Sequence, residues 1–71
     1  MVSLNGVEYA WRPGMSLKEL VADYNADYNK LLALDGFVVL VNEIAITTLQ
    51  AQEKILSDND KILIIPMLAG G

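Results

Sequence analysis

Apolar residues recur at every second position early in this chain, at every third or fourth in the middle, and almost continuously towards the end. The opening stretch "VSL-NG-VEYAW" alternates on both sides of Asn5-Gly6. That dipeptide accepts the two positive φ angles of a type I′ turn, so residues 2–4 and 7–11 are expected as paired strands. Val2 and Leu4 then share one face, and Val7, Tyr9 and Trp11 share a face of the second strand.

Pro13-Gly14 ends the alternation, and the period changes. Ser16 followed three residues later by Glu19 is a capping box, and Leu17, Leu20, Val21 and Tyr24 fall at i, i+3, i+4 and i+7. An amphipathic helix is expected, with Lys18, Glu19 and Asp23 outward. The tandem "ADYN-ADYN" that follows places Tyr24 and Tyr28 on nearly the same helix face. Asn25 and Asn29 are weak helix formers, so the helix should end between residues 24 and 33.

Asp35-Gly36 closes that segment, and "FVVLVN" reads as a buried strand, β-branched and almost wholly apolar. "EIAITTLQAQEKIL" is ambiguous: Ile44 and Ile46 suggest a short strand, and "LQAQEKIL" could form a helical turn. "SDNDK" is a turn, and "KILIIPML" is the last strand. Pro66 has no amide hydrogen and should end full ladder pairing on one side. The order is hairpin, helix, strand, small irregular element, strand. One helix over one face of a mixed four- to five-stranded sheet satisfies it, with the strands before and after the helix running parallel. That α+β arrangement is the β-grasp, or ubiquitin-like, fold.

Composition narrows the chemistry. The chain has 71 residues, enough for one domain, and its 54% hydrophobic content and mean hydropathy of +0.35 allow a real core. It has no Cys, so disulfides, thiolate metal sites and iron–sulfur clusters are ruled out, and with them a ferredoxin role. It has no His, which removes the commonest general base for Ser3, Ser16, Ser57, Thr47 or Thr48. Net charge is −4, and the cations Arg12, Lys18, Lys30, Lys54 and Lys61 are scattered, so no stripe exists to neutralise phosphates and no nucleic acid is expected. The apolar runs fall far short of the roughly 20 residues that span a bilayer, and "MVSLNGVEY" lacks the features of a secretion signal. A cytoplasmic protein is expected, with no membrane partner. Asp58 and Asp60 read as turn residues, without the glycine and Glu of an EF-hand loop, and no metal is expected.

An enzyme has little to work with here, which turns attention to "IIPMLAGG". A buried strand has no use for Gly70 and Gly71, since glycine adds no apolar area and costs entropy to order. A free carboxylate is a poor electrophile, but adenylation gives it a good leaving group, and a glycine carbonyl has no Cβ to hinder attack. Extended, Met67 to Gly71 would reach roughly 17 Å.

At this point "VLVN" and "LSDNDKILIIPMLAGG" resemble the end of the ThiS/MoaD sulfur-carrier proteins. In that family a V-x-V-N strand end is followed by D-G-D, an apolar strand and a terminal Gly-Gly. Asn59 stands where the glycine of D-G-D is usual, a mild departure because asparagine tolerates left-handed geometry. Pro66 matches a proline common before the MoaD tail, while the short length favours ThiS. The resemblance implies a carrier, not a catalyst, with residues 1–66 as the domain and 67–71 as a flexible tail ending in Ala69, Gly70 and Gly71. It implies that a ThiF/MoeB-like enzyme uses ATP to adenylate the Gly71 carboxylate, which becomes a thiocarboxylate. The carrier itself binds no cofactor. The sulfur then goes to a ThiG-like thiazole synthase for thiamine, the favoured pathway, or to a MoaE-like large subunit of molybdopterin synthase. By analogy with the family, Ile62 and Ile64 face the helix. Leu63, Ile65, Val38 and Leu40 face away and, with Met67 and Leu68, are the expected docking surface. Two other uses of the fold compete: a modifier joined to lysines through Gly71, and a plain interaction module indifferent to its last two residues.

Overall fold

The computed structural model describes residues 1–66. Alternation around Asn5-Gly6 produces two antiparallel strands, β1 (Val2–Leu4) and β2 (Val7–Tyr9), with Val2 opposite Tyr9 and Leu4 opposite Val7. Both turn residues take positive φ, 49° at Asn5 and 84° at Gly6, as a type I′ turn requires. β2 is two residues shorter than expected, because Val2, the first residue of β1, already faces Tyr9. Trp11 is anchored differently, donating its indole N–H to the Leu56 carbonyl at 2.9 Å.

Helix α1 spans Leu17–Tyr28 and buries Leu17, Leu20 and Val21, with Tyr24 packed beside them. Ser16 caps it, its hydroxyl accepting from the Glu19 amide at 3.1 Å. The second half of the expected capping box is replaced: the Glu19 carboxylate turns to Arg12, which donates to it at 3.2 Å. Tyr24 and Tyr28 do share a face, their rings 5.1 Å apart. Asn29 closes the helix in the left-handed conformation, its N–H returned to the Asn25 carbonyl.

The second half holds β3 (Phe37–Val41), β4 (Ile44–Ile46), α2 (Thr48–Glu53) and β5 (Lys61–Pro66). The ambiguous stretch is thus a strand followed by a helix. β3 buries Val39 and Val41 only, although every residue in it is apolar, because the helices cover one face of the sheet. The strand order is β2-β1-β5-β3-β4, with β1 and β5 parallel and all other neighbours antiparallel. It follows that β2 and β3, on either side of α1 in sequence, run in the same direction, as expected. Leu4, Leu17, Leu20 and Ile62 are wholly buried between sheet and helices, and each contributes about 1.5–3 kcal/mol of hydrophobic stabilisation. The α+β β-grasp arrangement is therefore the fold of this chain, with five strands among the described residues.

Candidate functional site around the central strand

β5 is the middle strand of five among the described residues and ends at Pro66, immediately before the C-terminal residues in sequence, so its supports fix the end of the described body. Its start is fixed by Asn42, the residue that closes the "VLVN" motif. The two-residue turn Asn42-Glu43 links β3 to β4 with positive φ at both positions, 51° and 73°. From that turn the Asn42 amide N–H donates to the Lys61 carbonyl at 2.8 Å, and its Oδ1 accepts from the Lys61 N–H at 2.9 Å. Its Nδ2 donates to Asp60 Oδ1 at 2.9 Å. Asp60 is buried, and its second oxygen accepts from the Ser57 N–H at 2.8 Å, with Lys54 Nζ 3.7 Å away. A buried carboxylate needs such partners, and these hold the turn before β5 in one geometry.

The other end of β5 is held from both sides. On one side β3 runs antiparallel along its whole length, from Val41 opposite Ile62 to Phe37 opposite Pro66. On the other side β1 pairs only with Lys61 and Ile62 before it turns at Asn5. The Asn5 side chain continues where the backbone stops: Oδ1 accepts from the Ile64 N–H at 2.8 Å, and Nδ2 donates to the Ile64 carbonyl at 3.2 Å. Ile62 and Ile64 thus turn their backbone groups towards β1, and by alternation Pro66 does too. The hydrogen that Pro66 lacks belongs to the side where β1 has already ended, so the proline costs the ladder nothing.

Of the expected docking residues, Val38, Leu40, Leu63 and Ile65 lie together on the face of the sheet away from α1. Val38 is opposite Ile65 and Leu40 opposite Leu63, with Ala45 beyond Leu40. Ile65 is 47% exposed and the other three are half-buried, whereas Ile62 and Ile64 are in the core as expected. The segment after β4, through α2 to Leu56, packs on the other side, where Ala51 is buried, Leu56 joins the core and Ser16 bridges to Ile55. Met67, Leu68, Ala69, Gly70 and Gly71 lie outside the described residues.

Asp58 and Asp60 do not converge. Asp58 is exposed and accepts from the Met1 ammonium at 2.6 Å, which holds its carboxyl below the usual range, while Asp60 points inward to Asn42 and Ser57. Among the described residues no group of three or more His, Cys, Asp or Glu side chains is placed to hold a metal. An open groove of about 370 Å³ is lined by Val41, Asn42, Ile44, Ile46, Gln50 and Lys54. It lies at the Val41 end of β3, the opposite end from Phe37 and Pro66, and contains none of the expected site residues. The sequence reading missed Asn5 and Asp60 as supports of β5. The only signal available for Asn42 was its place in the "VLVN" motif.

No helix of the described residues is long and apolar enough to cross a membrane. The comparison with curated proteins gives no match. The model of the ThiS family matches residues 2–71, which includes every strand described above and the terminal Gly70-Gly71. Members of this family are carriers that work with partner enzymes in sulfur transfer. With a five-stranded β-grasp body and a match along all but its first residue, the chain belongs to the ThiS family and is a sulfur carrier.

Proposed function

We propose that this carrier is loaded at the Gly71 carboxylate and delivers its sulfur to the thiazole ring of thiamine. A ThiF/MoeB-like partner binds ATP, and a Gly71 oxygen attacks the α-phosphorus, releasing pyrophosphate and leaving an acyl-adenylate. Sulfur at the oxidation level of sulfide then attacks the carbonyl, AMP leaves, and a thiocarboxylate remains for a ThiG-like thiazole synthase. The chain needs no bound cofactor, since the partner holds the ATP, and the reading assigns these steps to the cytoplasm.

The observation that carries this reading is the family match running through Gly71. Two further features support it. The C-terminal residues follow the sheet's middle strand in sequence, and that strand shares with β3 an apolar face made of Val38, Leu40, Leu63 and Ile65. On that surface, together with Met67 and Leu68, the activating enzyme and then the synthase dock in turn. Residues 1–66 are the docking body, and 67–71 the flexible arm that enters the partner's site.

The direct test is ATP–pyrophosphate exchange by the ThiF/MoeB-like enzyme with the full chain and with a chain lacking Gly70 and Gly71. Exchange with the first alone supports the proposal, and equal exchange with both refutes it. Rescue of thiamine auxotrophy identifies the pathway. Rescue of molybdopterin auxotrophy instead would assign the chain to a MoaE-like partner, the alternative that Pro66 favours. Ladders of lysine conjugates in cell extract would point to a modifier.

A further inference from the structure

Asn5 does two separable things. Its backbone takes the positive φ of the hairpin turn, which many Asn-Gly turns do without further consequence. Its side chain also reaches a strand 59 residues away and bonds both backbone groups of Ile64. The turn alone does not call for that second role.

Its value follows from where β1 ends. Without the amide, only β3 would hold Leu63 to Pro66, because the last backbone bond from β1's side is the Asn5 N–H to the Ile62 carbonyl at 2.9 Å. Ile64 is a core residue, and a buried N–H and C=O left without partners would cost free energy comparable to a lost hydrogen bond each. The amide supplies a donor and an acceptor, as a further strand residue would. The next position that faces this side is Pro66, which has no N–H to satisfy. The clamp therefore completes the ladder at the last point where one is needed.

We propose that Asn5 is a positioning residue for sulfur loading: its amide sets the direction in which the C-terminal residues leave β5, and so how Gly71 is presented to the activating enzyme. The inference rests on the proposed function, in which Gly71 is the loaded group. A clamp on the last two-sided residue of β5 holds in one geometry the strand end from which the C-terminal residues continue. Losing it lowers the fraction of encounters that are productive while leaving the chemistry of the bound arm unchanged.

Asn5→Gly separates the two roles, because glycine keeps the positive φ and removes the amide. Asn5→Asp keeps the φ tolerance and an acceptor for the Ile64 N–H but loses the donor to the Ile64 carbonyl. Amide hydrogen exchange on the full chain should be about fivefold to tenfold faster at Ile64 in Asn5→Gly, as expected for loss of one buried bond. Leu63 and Ile65, whose amides face β3, should exchange at unchanged rates. In ATP–pyrophosphate exchange with the ThiF/MoeB-like enzyme, Asn5→Gly should raise KM for the carrier several-fold with kcat retained, and Asn5→Asp should fall between it and the parent. A merely structural residue would lower Tm without moving KM.

Unchanged Ile64 exchange in Asn5→Gly overturns the clamp. Faster exchange with unchanged KM overturns the positioning role and leaves the sulfur-loading reading intact. If the parent chain itself supports no pyrophosphate exchange, the loading reading fails and this inference falls with it.

Discussion

Glu43 holds a φ of 73° in the two-residue turn between β3 and β4, a conformation that costs a residue with a Cβ about 1–2 kcal/mol. Glycine removes that cost but returns about 0.4–1 kcal/mol through the freer unfolded chain. Glu43→Gly should therefore stabilise by about 0.5 kcal/mol, raising Tm by about 3 °C in a calorimetric scan. Asp60 works in the opposite sense. Asp60→Ala strands the Asn42 Nδ2 and the Ser57 N–H, and should cost about 2–3 kcal/mol in a urea titration. Asp58 is exposed, and the Met1 ammonium depresses its pKa. Its contribution is present above the ordinary carboxylate range and is lost as pH falls through the lowered value. The Tm difference between the parent and Asp58→Asn should be visible at pH 6, begin to shrink as the pH falls below about 4, and disappear only below the lowered value. A difference constant with pH would contradict that assignment. The turn at Asn5-Gly6 was readable in the sequence because its preference is local. The partner of the Asn5 side chain was not, since no local rule connects residue 5 to residue 64.

At the scale of elements, α1 was legible because its signals repeat: a cap at Ser16 and a stripe through Leu17, Leu20, Val21 and Tyr24. Its end was not. Asn25 is a weak helix former that stays helical because its side chain bonds both the N–H and the C=O of Leu32, at 2.9 and 2.8 Å. Its carbonyl also accepts from Asn29 and Lys30. Asn25→Ala should cost about 1–2 kcal/mol and speed amide exchange at Leu32. An unchanged Leu32 would show that the segment after α1 is held by other contacts. α2 did have a signal, because Thr47 and Gln50 form a reciprocal capping box with the spacing that marks a helix start. Six residues are too few for a helix to stand alone, and α2 depends on that box and on burying Ala51. β3 misled in a different way. A run of five apolar residues suits a strand covered on both sides, and here one side is covered by helices and the other is the Val38–Leu40 face.

For the whole molecule, the class of fold could be read from element order, but β5 as the central strand could not, because pairing between β1 and β5 joins the two ends of the chain. That pairing sets Asn5, near one end of the sequence, beside Ile64, near the other. The outer face follows from the same arrangement and can be tested apart from stability. Ile65 is nearly half exposed, so Ile65→Asp should change Tm by no more than a few degrees while lowering kcat/KM in ATP–pyrophosphate exchange at least tenfold. Equal activity would place docking elsewhere on the surface. The central claim is that the protein's reactive group is the Gly71 acyl carbon, charged with sulfur by another enzyme. Intact-mass analysis of the protein isolated from its own cells, followed by fragmentation of the C-terminal peptide, tests it most directly. The account predicts a population heavier by the exchange of one oxygen for sulfur, with the added mass on Gly71. A carrier bearing an unmodified carboxylate under every growth condition, including thiamine starvation, would contradict it.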